Sequence, residues 1–199
     1  MDHLRRIGQL RRRLTRAGLP GLLVTHLPDL RYLSGFTGSS AALAITRRAA
    51  RLFTDGRYTA QAAEEVQAAE VQIVASSPAV SAIEWLTAQP GMKFAGFDPA
   101  RTTVAELARW RAALPSRLRR GFLSVLPAPL VEPMRWVKDE DELALMSEAA
   151  PILLTRDQLR WLAPLRADRD NTLAALHYWC ATGDAGHAVS LALFLSVSA

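Results

Sequence analysis

The sequence predicts an α/β domain: a mixed sheet of about six strands flanked by helices, then a short all-α helical-hairpin tail. Three observations predict it. Short apolar runs alternate with amphipathic or alanine-rich stretches up to about residue 130, which is the rhythm of a layered α/β fold. Two of those runs, Ala41 to Thr46 and Arg51 to Thr54, are joined by the tight polar turn Arg47-Arg48, so the sheet holds a hairpin. After about residue 150 the strand-like runs stop.

The elements follow in order. Leu4, Ile7, Leu10, Leu14 and Ala17 recur at helical spacing over residues 3–17, and Gly18 and Pro20 stop that helix. Its other face carries Arg5, Arg6, Arg11, Arg12, Arg13 and Arg16. With no aromatic interleaved, this reads as a solvated face rather than a nucleic-acid surface. Gly21 to His26 reads as a buried strand, with His26 at its end. A helix over 57–67, a strand over 71–75 and a helix over 81–88 follow, the last ended by Pro90-Gly91. Next come a strand over 93–97 and a helix over 102–114, with Thr102 or Thr103 as N-cap and Glu106 in its first turn. A strand over 122–126, a loop over 127–133 and a helix over 139–149 complete the first part. Acidic residues at the start of that helix complement its positive N-terminal dipole. Pro151 is expected to interrupt it, dividing the chain into a domain over 1–150 and a tail over 151–199. Helices are expected over 156–166, 171–182 and 185–195.

The chain has 199 residues and a net charge of +5, carried almost wholly by arginine. Its single cysteine, Cys180, forms no internal disulfide and reads as a buried packing residue. The N-terminus lacks an apolar core of the secretory kind. No apolar run approaches the roughly 18 residues of a membrane span. The expectation is a soluble, cytoplasmic protein with neither nucleic-acid nor membrane partners.

The stretch FTDGRYTAQA, Phe53 to Ala62, joins a strand to a helix. Asp55 is placed to cap the helix and to pair with Arg57, and Gly56 is free to adopt a positive φ. A catalytic role for Asp55 would need a second carboxylate or a histidine from elsewhere. Gly38-Ser39-Ser40 is neither a nucleophile elbow nor a phosphate loop.

Three motifs stand in order along the chain: LRYLSGFTGSSAALAIT at 30–46, then TDGRY, then VEPMRWVKDEDELALMSEAA at 131–150 with Arg135, Lys138, Glu142 and Leu143. Together they resemble the N-terminal domain of the creatinase and prolidase family, the Xaa-Pro aminopeptidases and dipeptidases. The resemblance implies an α/β domain that helps the protein oligomerise and walls a substrate pocket but carries no chemistry. In that family a following pita-bread domain binds two divalent metals (Mn, Co or Zn) through two aspartates, a histidine and two glutamates, and the metal-bridging water attacks the bond before proline. Gly35, Phe36, Gly38, Ser39, Asp55, Gly56, Arg57, Tyr58, Arg135, Lys138 and Glu142 match the motifs and read as structural.

Asp157 and Asp168 lie eleven residues apart, close to the family's aspartate spacing. They sit in helical, arginine-rich sequence, however, and no glutamate follows Asp168. The ligand set is incomplete, so no metal is expected on this chain and no Xaa-Pro hydrolysis by it alone. Residues 159–195, with Trp161, Leu162, Leu165, Asn171, Gly183 and Asp184, resemble the helical repeats of bacterial signal-transduction ATPases and winged-helix regulators. The partners implied are a second copy of the chain, or a peptidase catalytic domain supplied in trans. The alternative function is a regulatory interaction module acting through the tail.

Overall fold

The computed structural model describes residues 2–153, with side chains to residue 148. The helices expected beyond, and Asp157, Asp168 and Cys180, lie outside the described residues. The elements are α1 (His3–Arg16), β1 (Gly21–Val24), α2 (Leu27–Ser34), β2 (Ala41–Thr46), β3 (Ala50–Asp55), α3 (Thr59–Glu65), β4 (Glu70–Val74), α4 (Pro78–Thr87), β5 (Ala95–Phe97), α5 (Val104–Ala113), β6 (Leu123–Val125), α6 (Glu132–Trp136) and α7 (Glu140–Leu153). Single 3-10 turns cover Gly56–Tyr58 and Pro99–Arg101. By contacts the chain divides into residues 2–131 and a second unit beginning at residue 132.

The first unit is a mixed six-stranded sheet in the order β4-β3-β2-β1-β5-β6. β2 runs antiparallel to β1 and β3, and the other pairings are parallel. The hairpin forms as its turn sequence dictates. Thr46 Oγ1 accepts the N–H groups of Arg48 and Ala49 at 3.2 and 2.9 Å, closing a hydroxyl-capped turn.

Alternation along the strands sorts the core into two layers. Leu23, Ala42, Ala44, Phe53 and Phe97 pack with Ala82, Ile83 and Leu86 of α4 and with Trp110 of α5. Phe97 meets Trp110 edge-on at 6.3 Å. The other layer holds Ile7, Leu10 and Leu14 of α1 and Leu30 and Leu33 of α2, all buried. α1 and α2 pack against each other, and α2 against β2. Thr103 caps α5 in a full capping box: its hydroxyl accepts Glu106 N–H at 3.2 Å, and Glu106 Oε2 accepts Thr103 N–H at 2.8 Å.

The structure corrects several expectations. Residues 27–34 form α2, where the sequence reading placed no element. Pro28 opens the helix, and Gly35, at φ 85°, closes it by donating to Arg31 O at 2.8 Å. His26 is the residue before that helix rather than a strand end. The expected loop at 127–133 gives way to α6 at Glu132. α7 carries the backbone across Ala150–Pro151 to Leu153, so Pro151 does not end it.

The arginine face of α1 is not wholly solvated. Arg6 is buried, donates to Tyr32 O at 3.0 Å and lies 4.1 Å over the Tyr32 ring. Arg11 donates to Thr46 O at 3.3 Å, tying α1 to the hairpin turn. Long side chains can spend an apolar stem and a charged head in a tertiary contact that helical spacing alone does not reveal.

Two substitutions rank the forces here. Phe97→Ala removes a buried ring and should cost about 3–5 kcal/mol, whereas Thr103→Ala removes one cap and should cost about 1 kcal/mol. Denaturant unfolding at unchanged m-value measures both, with the larger fall in midpoint at Phe97.

Candidate functional site

The sheet's connectivity gathers the sequence motifs at one end. The carboxyl ends of β1, β3, β4, β5 and β6 share that end with the start of β2, because Val24 pairs with Leu43 and Thr54 with Ala41. The segment before β2 therefore meets the turn after β3. Open α/β sheets place their sites at this end of the strands.

The two motifs are knitted there into one polar cluster. Ser39 Oγ and Tyr58 OH are 2.7 Å apart. Phe36 meets the Tyr58 ring edge-on at 5.6 Å. Gly38 fits beneath this pair: a Cβ on it would lie 2.4 Å from Phe36 Cζ and 2.9 Å from Tyr58 Cδ1. Thr54 Oγ1 donates to Ser40 O at 2.6 Å, stitching β3 to the start of β2.

Asp55 does what its position predicts. Its Oδ1 accepts Arg57 N–H at 3.1 Å, and the guanidinium grips both carboxylate oxygens at 2.9 Å. The Arg57 hydrogen bonds hold the Asp55 carboxyl well below the usual carboxylate range, and Asp55 in turn raises the Arg57 guanidinium. The hydrogen bond with Ser39 lowers the Tyr58 phenol. Gly56 corrects the sequence reading: its φ is not positive, and nothing lies within 4 Å of a Cβ built on it. A 3-10 turn carries the chain into α3 without needing the left-handed conformation.

A second lock was not foreseen. Glu65, on α3, accepts from Thr37 N–H at 2.7 Å and from Thr37 Oγ1 at 2.6 Å. Gln61, one turn earlier, donates to Thr37 Oγ1 at 2.7 Å and to Glu65 at 3.1 Å. Desolvation pushes the Glu65 carboxyl up, but the Thr37 and Gln61 hydrogen bonds outweigh it and the net direction is down. The signal in the sequence was the Gln61–Glu65 spacing, which puts both on one helix face.

The third motif lies in the second unit and caps α7. Asp139 Oδ1 accepts Glu142 N–H at 2.9 Å and Glu142 Oε2 accepts Asp139 N–H at 3.1 Å. Lys138 Nζ donates to Arg135 O at 2.7 Å, and Arg135 is buried.

Beside the cluster opens a cleft of about 390 Å³ between the starts of α4 and α5. Thr25, Ser39, Ser40 and Ser77 line it with hydroxyls, Trp110 with an aromatic wall and Arg109 with a cation. The acids at this end of the sheet are already engaged. Asp55 holds Arg57, Asp98 accepts Ala100 N–H at 2.9 Å, and Asp29 lies 3.2 Å from His26 Nδ1. Among the described residues no three His, Cys, Asp or Glu side chains converge as a metal site requires. The described residues do not fit a dimetal centre.

Two measurements check the cluster. Gly38→Ala must displace the Phe36–Tyr58 pair and should cost about 1–3 kcal/mol, while Gly56→Ala should stay within about 0.5 kcal/mol. Thermal melts decide between them. The second is pH dependence. Asp55 and Glu65 have lowered folded-state pKa values. Their stabilisation is therefore complete above the ordinary carboxylate value of about 4 and is lost as pH falls below it. Asp55→Asn should flatten the acid limb of the melting-temperature profile.

Comparison with known proteins agrees with this architecture. Residues 6–137 match the creatinase/prolidase N-terminal domain. The uncharacterized peptidase YqhT of Bacillus subtilis is 29% identical over 148 residues, 74% of this chain and 40% of its own length. The Xaa-Pro dipeptidase of Bacillus anthracis superposes with a TM-score of 0.67 at 25% identity, over 75% of this chain and 40% of the other. The N-terminal domain of the cytoplasmic peptidase PepQ from Mycobacterium tuberculosis does so with a TM-score of 0.56 at 32% identity, over 65% of this chain and 98% of that domain. This chain thus spans 40% of the length of the Bacillus subtilis peptidase. Its matched region, its mixed sheet and its paired motifs place it in the creatinase/prolidase N-terminal domain family.

Proposed function

We propose that this chain is the non-catalytic N-terminal domain of a proline-specific, Xaa-Pro metallopeptidase, serving assembly or peptide binding. One observation carries the reading. The motif side chains at the carboxyl end of the sheet are consumed by bonds to one another, while the cleft beside them stays open. A cluster so engaged fixes loop geometry. A cleft of that size, with Trp110 and small apolar side chains facing hydroxyls and Arg109, has the dimensions of a small-ligand or peptide subsite.

The names of the relatives support the peptidase assignment, and the extent of the match supports the division of labour. In this reading the two divalent metals, manganese, cobalt or zinc, belong to a separate catalytic domain. The cytoplasm is the expected compartment, as described for PepQ. Among the described residues, no helix is long and apolar enough to cross a membrane.

The test is proline release from a panel of Xaa-Pro peptides with added manganese or cobalt. The expected result is no turnover above a metal-only control. Turnover that a chelator abolishes overturns the non-catalytic reading.

A further inference from the structure

The polar groups that line the open cleft between α4 and α5 are not equally spent. Ser39 Oγ lies 2.7 Å from Tyr58 OH. The Ser40 side chain is turned to Asp55, whose ionised form it favours after Arg57. Glu106 Oε2 accepts both the N–H and the hydroxyl of Thr103, at 2.8 and 2.7 Å. Three donors in the lining differ. The Thr25 and Ser77 hydroxyls and the Arg109 guanidinium enter no hydrogen bond or ion pair among the described residues.

Arg109 owes its freedom to the capping box. It lies one turn on from Glu106, at a spacing that suits an ion pair along a helix. The box turns the Glu106 carboxylate back to the start of α5 instead, so the two charges attract without touching. The wall beside these donors is apolar and fixed. Leu27 and Val80 contribute to it, and Trp110, 4% exposed, is held edge-on against Phe97 at 6.3 Å.

One unspent cation beside an apolar wall is the complement of a ligand with a single negative charge and an apolar group. A doubly charged anion fits worse, because Glu106 stands in the same lining. The Thr103 hydrogen bonds hold the Glu106 carboxyl below its ordinary value, and the charge of Arg109 adds to them. Glu106 is therefore ionised at neutral pH and repels a second negative charge. A carboxylate also matches a guanidinium in shape, two oxygens meeting two N–H groups.

We infer that the cleft binds the C-terminal end of a short peptide: Arg109 pairs with the terminal carboxylate, Thr25 and Ser77 offer hydroxyls to the peptide's polar atoms, and an apolar last side chain lies against Val80 and Trp110. This names the ligand for the peptide-binding half of the function proposed above and rests on that half. What is recognised is the end of a peptide rather than an internal stretch.

The experiment is isothermal titration of the full chain with the tripeptide Ala-Ala-Leu, with the same peptide amidated at its C-terminus, and with inorganic phosphate. The free peptide should bind, and amidation should weaken it about tenfold or more, as loss of one charge-assisted pair does. Phosphate should bind no better than the amide. Arg109→Gln should bring the free peptide down to the affinity of the amide, with the melting temperature unchanged because Arg109 is exposed. Arg111→Gln, equally exposed on the same helix but outside the cleft, should change neither affinity. The amide arm needs no variant, so it decides even where Arg109→Gln misfolds. Equal affinities for free and amidated peptide overturn the inference and leave the peptide-binding reading standing. So does phosphate that binds as tightly as the peptide, or an Arg109→Gln that loses no more than Arg111→Gln. Failure of both peptides to bind overturns the inference and the peptide-binding half together.

Discussion

Everything in the first unit is arranged around one constraint: β1 must be buried on both faces and paired on both sides. All four of its residues, Gly21 to Val24, are buried. On one side it takes β2 antiparallel, on the other β5 parallel. A strand with no exposed face cannot read as alternating, and GLLV duly reads as an unbroken apolar run. Gly21 and Gly96 serve the same crowding. A Cβ on Gly21 would come within 2.9 Å of Met92, and one on Gly96 within 2.7 Å of Leu126. Helices must then cover both faces, and they do: α1 and α2 on one, α4 and α5 on the other.

The same constraint makes the site. With β2 antiparallel beside β1, the segment entering β2 arrives where β1, β3 and β5 end. Gly38 and Ser39 are thereby brought against Tyr58, although nineteen residues separate Ser39 from Tyr58. The polar cluster follows from strand direction. Its energetic character is that of a joint, in which a bidentate ion pair, a hydroxyl–phenol contact and a carboxylate clamp hold the loop before β2, the turn after β3 and α3 in register.

Much of this was legible in the sequence because it is local. The hairpin, the Thr103–Glu106 capping box and the Asp55 cap each depend on residues within a few positions of one another. The family motifs were legible in their order. What escaped was either short or distant. α2 has eight residues, and its opening proline comes only four positions after β1 ends, so only its bracketing by Pro28 and Gly35 marked it. The Thr37–Glu65 lock spans 28 residues and exists only once α3 lies beside the loop. Arg6 looked like a surface charge until Tyr32 supplied a carbonyl and a ring. Gly56 invited a left-handed turn that a 3-10 turn made unnecessary.

Strand order also bears on how the molecule folds. β1, β2, β3 and β4 are neighbours in space in the order in which they occur along the chain. Each pairing in that half closes a short loop, whose entropic cost is small. β5 must instead return past three strands to the far side of β1, and β6 can add only after it. Residues 21–74 are thus the low-contact-order half of the sheet, suited to form first. The later half, carrying Phe97, Trp110 and Phe122, closes the core over a template already made.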